Sequence, residues 1–359
     1  MRGIDAGSVG EGRRSVRVVV TGATGNVGTS VLDALAMDPN VTDIVGIARR
    51  MPAVNFDKTR FVTADVGRDD LMPYLAGADA LVHLAWRIQP VREPGELERT
   101  NVEGSQRVFD AAARAGVKTL VYASSVGVYS PAPKERRRDE SWSREGIATS
   151  LYSRQKASVE RLLDRFEQDN RHMRIVRLRP ALTFKREAAS GIRRLFLGPL
   201  LPGWAIRPKL IRFVPDNPNL RFQAVHSADV AEAYRLAIMN DVHGAFNIAA
   251  EPVIDSESLA RTFDSKLVKV SHRTLRAAAD LTHRLHLQPA DPGWIDMAFQ
   301  APLQDCSKAA RELGWSPRRT SIQALLELLD GLRERASAGT PPLSPYGRAE
   351  RNTRARAEL

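Results

Sequence analysis

The amino-acid sequence predicts an α/β protein built on a doubly wound parallel sheet, and three observations carry that prediction. Short apolar runs rich in Val, Ile or Leu alternate with helical stretches through the first half of the chain. A glycine-rich turn directly follows the first of those runs and opens the first helix. With 359 residues, 43% of them hydrophobic and 26% charged, the chain can bury a large core in one large or two modest domains.

The strand candidates are residues 17–20, 44–48, 60–63, 80–84, 119–123 and 175–178. Each is short and mostly apolar, as strands covered by helices on both faces should be. Between them lie helical stretches such as 101–115, closed by Gly116 as a C-terminal breaker. After Pro180 the texture changes, because Gly198, Pro199, Pro202, Gly203, Pro208, Pro215 and Pro218 break up any helical periodicity. The run 222–225 and the helix-like 228–239 suggest a return to the main domain before a second excursion from Gly244. The expected organisation is a dinucleotide-binding domain of residues 16–181 plus 221–243 and a discontinuous substrate lobe of 182–220 plus 244–336. A disordered arm (1–15) and tail (337–359), rich in Arg, Gly and Pro, flank them.

Composition narrows the function classes. The net charge of +11 is concentrated toward the ends, with +2 in residues 1–17 and +3 in 331–359, so the folded middle is only mildly basic. With no recognised nucleic-acid module, that charge does not argue for a nucleic-acid partner. A single cysteine, Cys306, rules out an intramolecular disulfide framework and a Cys-cluster metal site, and points to a reducing cytoplasm. The longest charge-free stretches, 18–32 and 119–133, fall short of the ~18 residues of a membrane span, and the first residues carry no apolar signal region. The expected partner is a small molecule, with no membrane and no metal; a homodimer is compatible with the sequence.

In Thr21-Gly22-Ala23-Thr24-Gly25-Asn26-Val27-Gly28, Gly22 permits a tight turn and Gly25 lets the backbone approach a pyrophosphate, while Gly28 allows close helix–strand packing. The second strand ends Ala48-Arg49-Arg50, with no carboxylate to grip a ribose 2′-hydroxyl, which favours NADP over NAD. Asp65-Val66 follows the third strand, where an adenine can be held; a turn or N-cap is the commoner use of such an Asp. Tyr152 and Lys156 are spaced i, i+4 at the start of a helical run and face the same side. Ser124-Ser125 end the fifth strand, which borders the cofactor crevice of such a sheet. Trp86 stands in a loop after a strand end, where substrates are commonly lined.

Together these motifs resemble the extended short-chain dehydrogenase/reductases, the NAD-dependent epimerase/dehydratase family. The resemblance runs from about Val16 to Trp315. It also includes His83-Leu84-Ala85, Asn101-Val102-Glu103-Gly104, SSVGVY (124–129), YSRQK (152–156), Leu178-Arg179-Pro180, VHSADVA (225–231) and KAARELGW (308–315). It implies a Rossmann fold and NAD(P)-dependent hydride transfer at a secondary-alcohol or carbonyl carbon, with Ser125, Tyr152 and Lys156 as the catalytic set and Asn101 a fourth member. Gly22, Thr24, Gly25, Asn26, Val27, Gly28, Arg49, Arg50, Asp65, Val66, Leu84, Ala85, Tyr152 and Lys156 would hold the cofactor. Trp86, Ser124, Arg179 and Arg221 are the substrate candidates. Family dehydratases usually carry an Asp-Glu pair where this chain has Val126-Gly127, so water loss is disfavoured. Residues 296–304 lack the arginine by which UDP-sugar-binding members reach the diphosphate. The leading expectation is a sugar-derivative epimerase. An NADP-dependent carbonyl or alcohol reductase is the alternative from the same chemistry, and a non-catalytic NADP-sensing regulator the alternative from another class.

Overall fold

The computed structural model describes residues 15–88, 95–197, 211–285, 287 and 289–344. Seven strands form the central sheet: β1 (Val16–Thr21), β2 (Val41–Ala48), β3 (Thr59–Thr63), β4 (Ala80–His83), β5 (Thr119–Ala123), β6 (Arg174–Pro180) and β7 (Gly244–Ile248). They lie in the order β7-β6-β5-β4-β1-β2-β3, and every pairing is parallel. The chain winds outward in both directions from β1 and β4, so a crevice opens beyond their C-terminal ends.

The period-2 alternation of β1 divides the core. Val18 and Val20 point into one layer with α1 (Asn26–Met37) and Val19 into the other with α2 (Gly104–Arg114) and α3 (Leu151–Asp169). All three valines are fully buried, each side chain contributing about 1.5–3 kcal/mol. α4 (Ser227–Met239) joins the first layer through Val230, Tyr234 and Ala237. The rest of the chain adds α5 (Gly293–Gln300), α6 (Ser321–Glu334) and three two-stranded parallel pairs: 182–184 with 224–226, 213–216 with 266–269, and 137–138 with 303–304.

Two boundary expectations are corrected. Residues 244–248, assigned by sequence to the substrate lobe, pair with β6 and form an edge strand of the main sheet. The alternation that buries Phe246 and Ile248 is short; those residues complete the core layer together with Ala309, Leu313 and Trp315. The tail does not begin at 337. Thr340 is fully buried and Leu343 nearly so, and Ser344 is covered as well. The remainder of the expected tail, 345–359, and the arm up to residue 14 lie outside the described residues.

Candidate active site

The loop after β1 is shaped by what cannot fit there. Gly22 has φ +69°, and a Cβ on it would stand 2.7 Å from the Ala85 nitrogen at the end of β4. Only glycine satisfies both the left-handed backbone and that approach. Gly25 caps α1 with no side-chain hydrogen bond, which leaves the N-terminal N–H groups of a twelve-residue helix facing the crevice. An open cleft of about 790 Å³ follows. Gly22, Thr24, Gly25, Arg49, Arg50, Asp65, Val66, Leu84 and Ala85, all expected to hold cofactor, line it together with Trp86 and Thr100. Asp65 also serves its own turn, accepting from the Gly67 N–H at 3.0 Å. Asn26 is different. Its side chain donates to the Thr183 carbonyl (2.9 Å) and accepts from the Ser227 hydroxyl (2.7 Å), so it ties α1 to the 182–184 strand and to the start of α4. Val27 is packed against the core, and Gly28 lies under the loop against the Gly22 carbonyl.

At the end of β5, Ser125 opens a short turn by accepting from the Gly127 N–H (3.0 Å). The start of α3 is fixed on that turn: Ser150 caps the helix, and the Ser153 hydroxyl donates to the Gly127 carbonyl at 2.5 Å. Gly127 is needed because a Cβ there would lie 3.0 Å from Cε1 of Tyr152 and 3.2 Å from Sδ of Met297. A longer side chain at 127 would therefore press on Tyr152 and Met297. Tyr152, Lys156 and Glu160 form an i, i+4 stripe on the inner face of α3.

Burial pushes the Tyr152 phenol up, and the hydrogen bond with Ser125 pulls the other way. The Lys156 ammonium donates to the Ala123 carbonyl (2.7 Å) and lies 3.5 Å from the centre of the Trp86 ring. Burial lowers its pKa well below the usual lysine value, and Glu160 opposes that. The Tyr152 ring centre is 6.0 Å from the same ammonium. The Trp86 indole N–H is buried and has no hydrogen-bond partner. It stands where this cleft meets a second, smaller pocket. Tyr152 and Trp294 line that second pocket, their rings 4.8 Å apart, along with Leu97, Leu151 and Gln155.

Four residues expected at the chemistry are engaged elsewhere. Arg179 is 1% exposed and forms a bidentate pair with Glu160 at 2.8 and 2.6 Å. Ser124 donates to the same carboxylate at 2.5 Å. Burial alone would raise that carboxyl; Arg179 and the hydrogen bonds hold it at about 2. Arg221 donates to the Lys134 carbonyl (3.1 Å). Asn101 is fully buried, accepts from the Arg87 N–H (2.7 Å), and donates to the Arg87 carbonyl (2.9 Å) and to Gln155 (3.0 Å). It positions the loop that carries Trp86. Arginine, asparagine and serine are equally at home in buried networks, and residue type alone did not separate the two uses. Sequence reasoning missed Gln155 and Trp294, which line the second pocket, and Pro341 and Pro342, which line the larger cleft. Gln155, beside Lys156, carried the only usable signal.

Residues 18–249 match the NAD dependent epimerase/dehydratase family. The chain belongs to this family. A UDP-glucose 4-epimerase of Neisseria meningitidis serogroup C is 23% identical over 336 residues, covering 86% of this chain and 95% of the relative. A decarboxylating sterol-4-alpha-carboxylate 3-dehydrogenase of Candida albicans is 30% identical over 235 residues, 61% of this chain and 63% of its own length. The solved UDP-N-acetylglucosamine 4-epimerase of Methanobrevibacter ruminantium, in complex with UDP-N-acetylmuramic acid, superposes with a TM-score of 0.65 over 90% of this chain and 99% of that one, at 19% identity. That likeness establishes the family's fold, a parallel sheet flanked by helices. Among the described residues there is no cluster of metal ligands and no helix long and apolar enough to cross a membrane.

Proposed function

We propose that this member of the family transfers a hydride at a secondary-alcohol carbon and epimerises a sugar derivative. The observation that carries the reading is the meeting of Ser125, Tyr152 and Lys156 with the glycine-rich cleft at the indole of Trp86. The cleft suits a nicotinamide dinucleotide: the bare Gly25 turn and the uncapped start of α1 present N–H donors to a pyrophosphate, with Asp65 and Val66 beyond for an adenine. When bound, that cofactor supplies the hydride acceptor.

Ser125 holds the reacting oxygen, and Tyr152 takes the alcohol proton as the carbon is oxidised and returns it on reduction. Lys156 stabilises the phenolate and contacts the nicotinamide ribose, the role the family likeness gives it. Trp86 and Trp294 wall the sugar, and the Trp86 N–H offers it a donor. The UDP-glucose 4-epimerase relative supports a nucleotide sugar. Gln304, at the end of the 296–304 segment where the family's diphosphate arginine would be sought, is tied to the Arg179 carbonyl (2.7 Å) and presents no cation.

One observation favours the reductase reading. Arg49 and Arg50 line the adenosine side of the cleft, which suits NADP, and net reduction draws on NADPH. The test is turnover of a panel of UDP-sugars and carbonyl compounds with either cofactor. Conversion of one epimer to the other without net change at 340 nm supports the epimerase, and stoichiometric loss of NADPH supports the reductase. No turnover of any compound by a protein that binds cofactor would overturn both.

A further inference from the structure

Beyond α6 the chain turns at Arg335 (φ +54°) and runs back to the cleft, although its sequence, Ser-Ala-Gly-Thr-Pro-Pro-Leu-Ser, looks like a linker. Its placement is specific. The Gly339 carbonyl accepts from the Ala53 N–H at 2.9 Å, and a Cβ on Gly339 would stand 2.4 Å from Cγ1 of Val54 in the segment after β2. The Thr340 hydroxyl, fully buried, donates to the carbonyl of Thr24 in the glycine-rich loop at 2.9 Å. Arg194 clamps the other side, donating to the carbonyls of Pro342 (2.5 Å) and Ser344 (3.0 Å). Between these anchors, Pro341 and Pro342 face the cleft that holds Gly25 and Arg49.

We propose that residues 339–344 are a strap that forms a wall of the cofactor site and sets how long a dinucleotide stays bound. The inference rests on reading the cleft as a nicotinamide dinucleotide site. The strap joins the loop after β1 to the segment after β2, the two places that must separate for a bound dinucleotide to leave sideways. Proline suits the position: it has no N–H to compete for phosphate oxygens, and its fixed φ keeps the wall rigid. A cofactor retained in this way suits a reaction that returns the hydride to the substrate it came from, since an enzyme consuming NADPH must exchange its cofactor every turnover.

The test is displacement of NADH and of NADPH from the full-length protein, followed by stopped-flow fluorescence. Two variants are compared with the unmodified chain: Thr340→Val, and Pro341→Gly combined with Pro342→Gly. Both should release reduced cofactor at least tenfold faster, with an association rate that does not fall and a melting temperature without cofactor close to that of the unmodified chain. Release within twofold of the unmodified rate in both variants would overturn the strap while leaving the cofactor site standing. If the unmodified protein binds neither NADH nor NADPH, the reading of the cleft falls and takes the strap with it.

Discussion

Replacing Lys156 with Met tests the electrostatics on which the proposed chemistry depends. A free tyrosine titrates near pH ~10, so acting as a base near neutral pH requires stabilising the phenolate by about 4 kcal/mol. A unit charge 6.0 Å from the Tyr152 ring centre, in an effective dielectric of ~20, supplies only about 3 kcal/mol. Burial opposes it, and in this structure burial wins. At ~4 Å the same cation would supply about 4 kcal/mol, so removing its charge should cost between about 3 and 4 kcal/mol. Lys156→Met should lower kcat/KM at neutral pH by about 10²–10³-fold. The acid-side limb of its pH–rate profile should move to higher pH, so that raising the pH recovers activity. Tyr152→Phe should lose about 10²–10⁴-fold at every pH, with no such recovery. The assay is kcat/KM from pH 6 to 10 for the three proteins on the substrate that the panel identifies. If Lys156→Met keeps the unmodified profile, the ammonium does not activate the phenol and the reasoning fails.

Three further outcomes follow from particular contacts. Glu160→Gln leaves Arg179 buried without its anion and should lower unfolding free energy by about 3–5 kcal/mol in denaturant titrations; a loss below 1 kcal/mol would mean the pair is weakly coupled. Because the Glu160 carboxyl is held at about 2, its stabilisation is complete above the ordinary value of 4.5 and is lost as pH falls from there toward 2. Glu160→Gln should flatten that part of the stability curve. Arg49→Asp should weaken NADP binding by about 10–100-fold and shift preference toward NAD, measured by calorimetry; equal affinity of the unmodified protein for the two would contradict it. Gly127→Ala would press on the Tyr152 ring at 3.0 Å, so kcat should fall about tenfold or more while cofactor affinity stays constant. A change in affinity alone would place the effect elsewhere.

The sheet was legible because parallel strands buried on both faces must be short apolar runs, and six of the seven announced themselves that way. The seventh, 244–248, escaped because it is an edge strand bounded by a positive-φ glycine and contains Asn247. The glycine-rich turn was legible for a related reason: Gly22 carries a backbone and packing constraint that few residue types satisfy. The arginines were not. Arg179 and Arg221 ended in buried pairing and backbone contacts, and only the placement of Glu160 and Lys134 distinguishes those uses from substrate binding. The strap is the extreme case, because its hydrogen bonds run mostly through backbone carbonyls, which carry no sequence signature. Nearby, His226 pairs with Glu327 (3.0 Å) and Asp229 accepts from the Arg319 N–H (3.1 Å).

The central claim is that the cleft and the Tyr152 site act together on a secondary alcohol, and single-turnover absorbance tests it most directly. The full-length protein is loaded with oxidised NAD or NADP and mixed with nucleotide sugars, sterol alcohols and simple secondary alcohols while 340 nm is followed. At least one compound should produce a rise that Tyr152→Phe abolishes without losing cofactor. Intact cofactor binding with no rise from any compound, or an equal rise in Tyr152→Phe, would contradict the account.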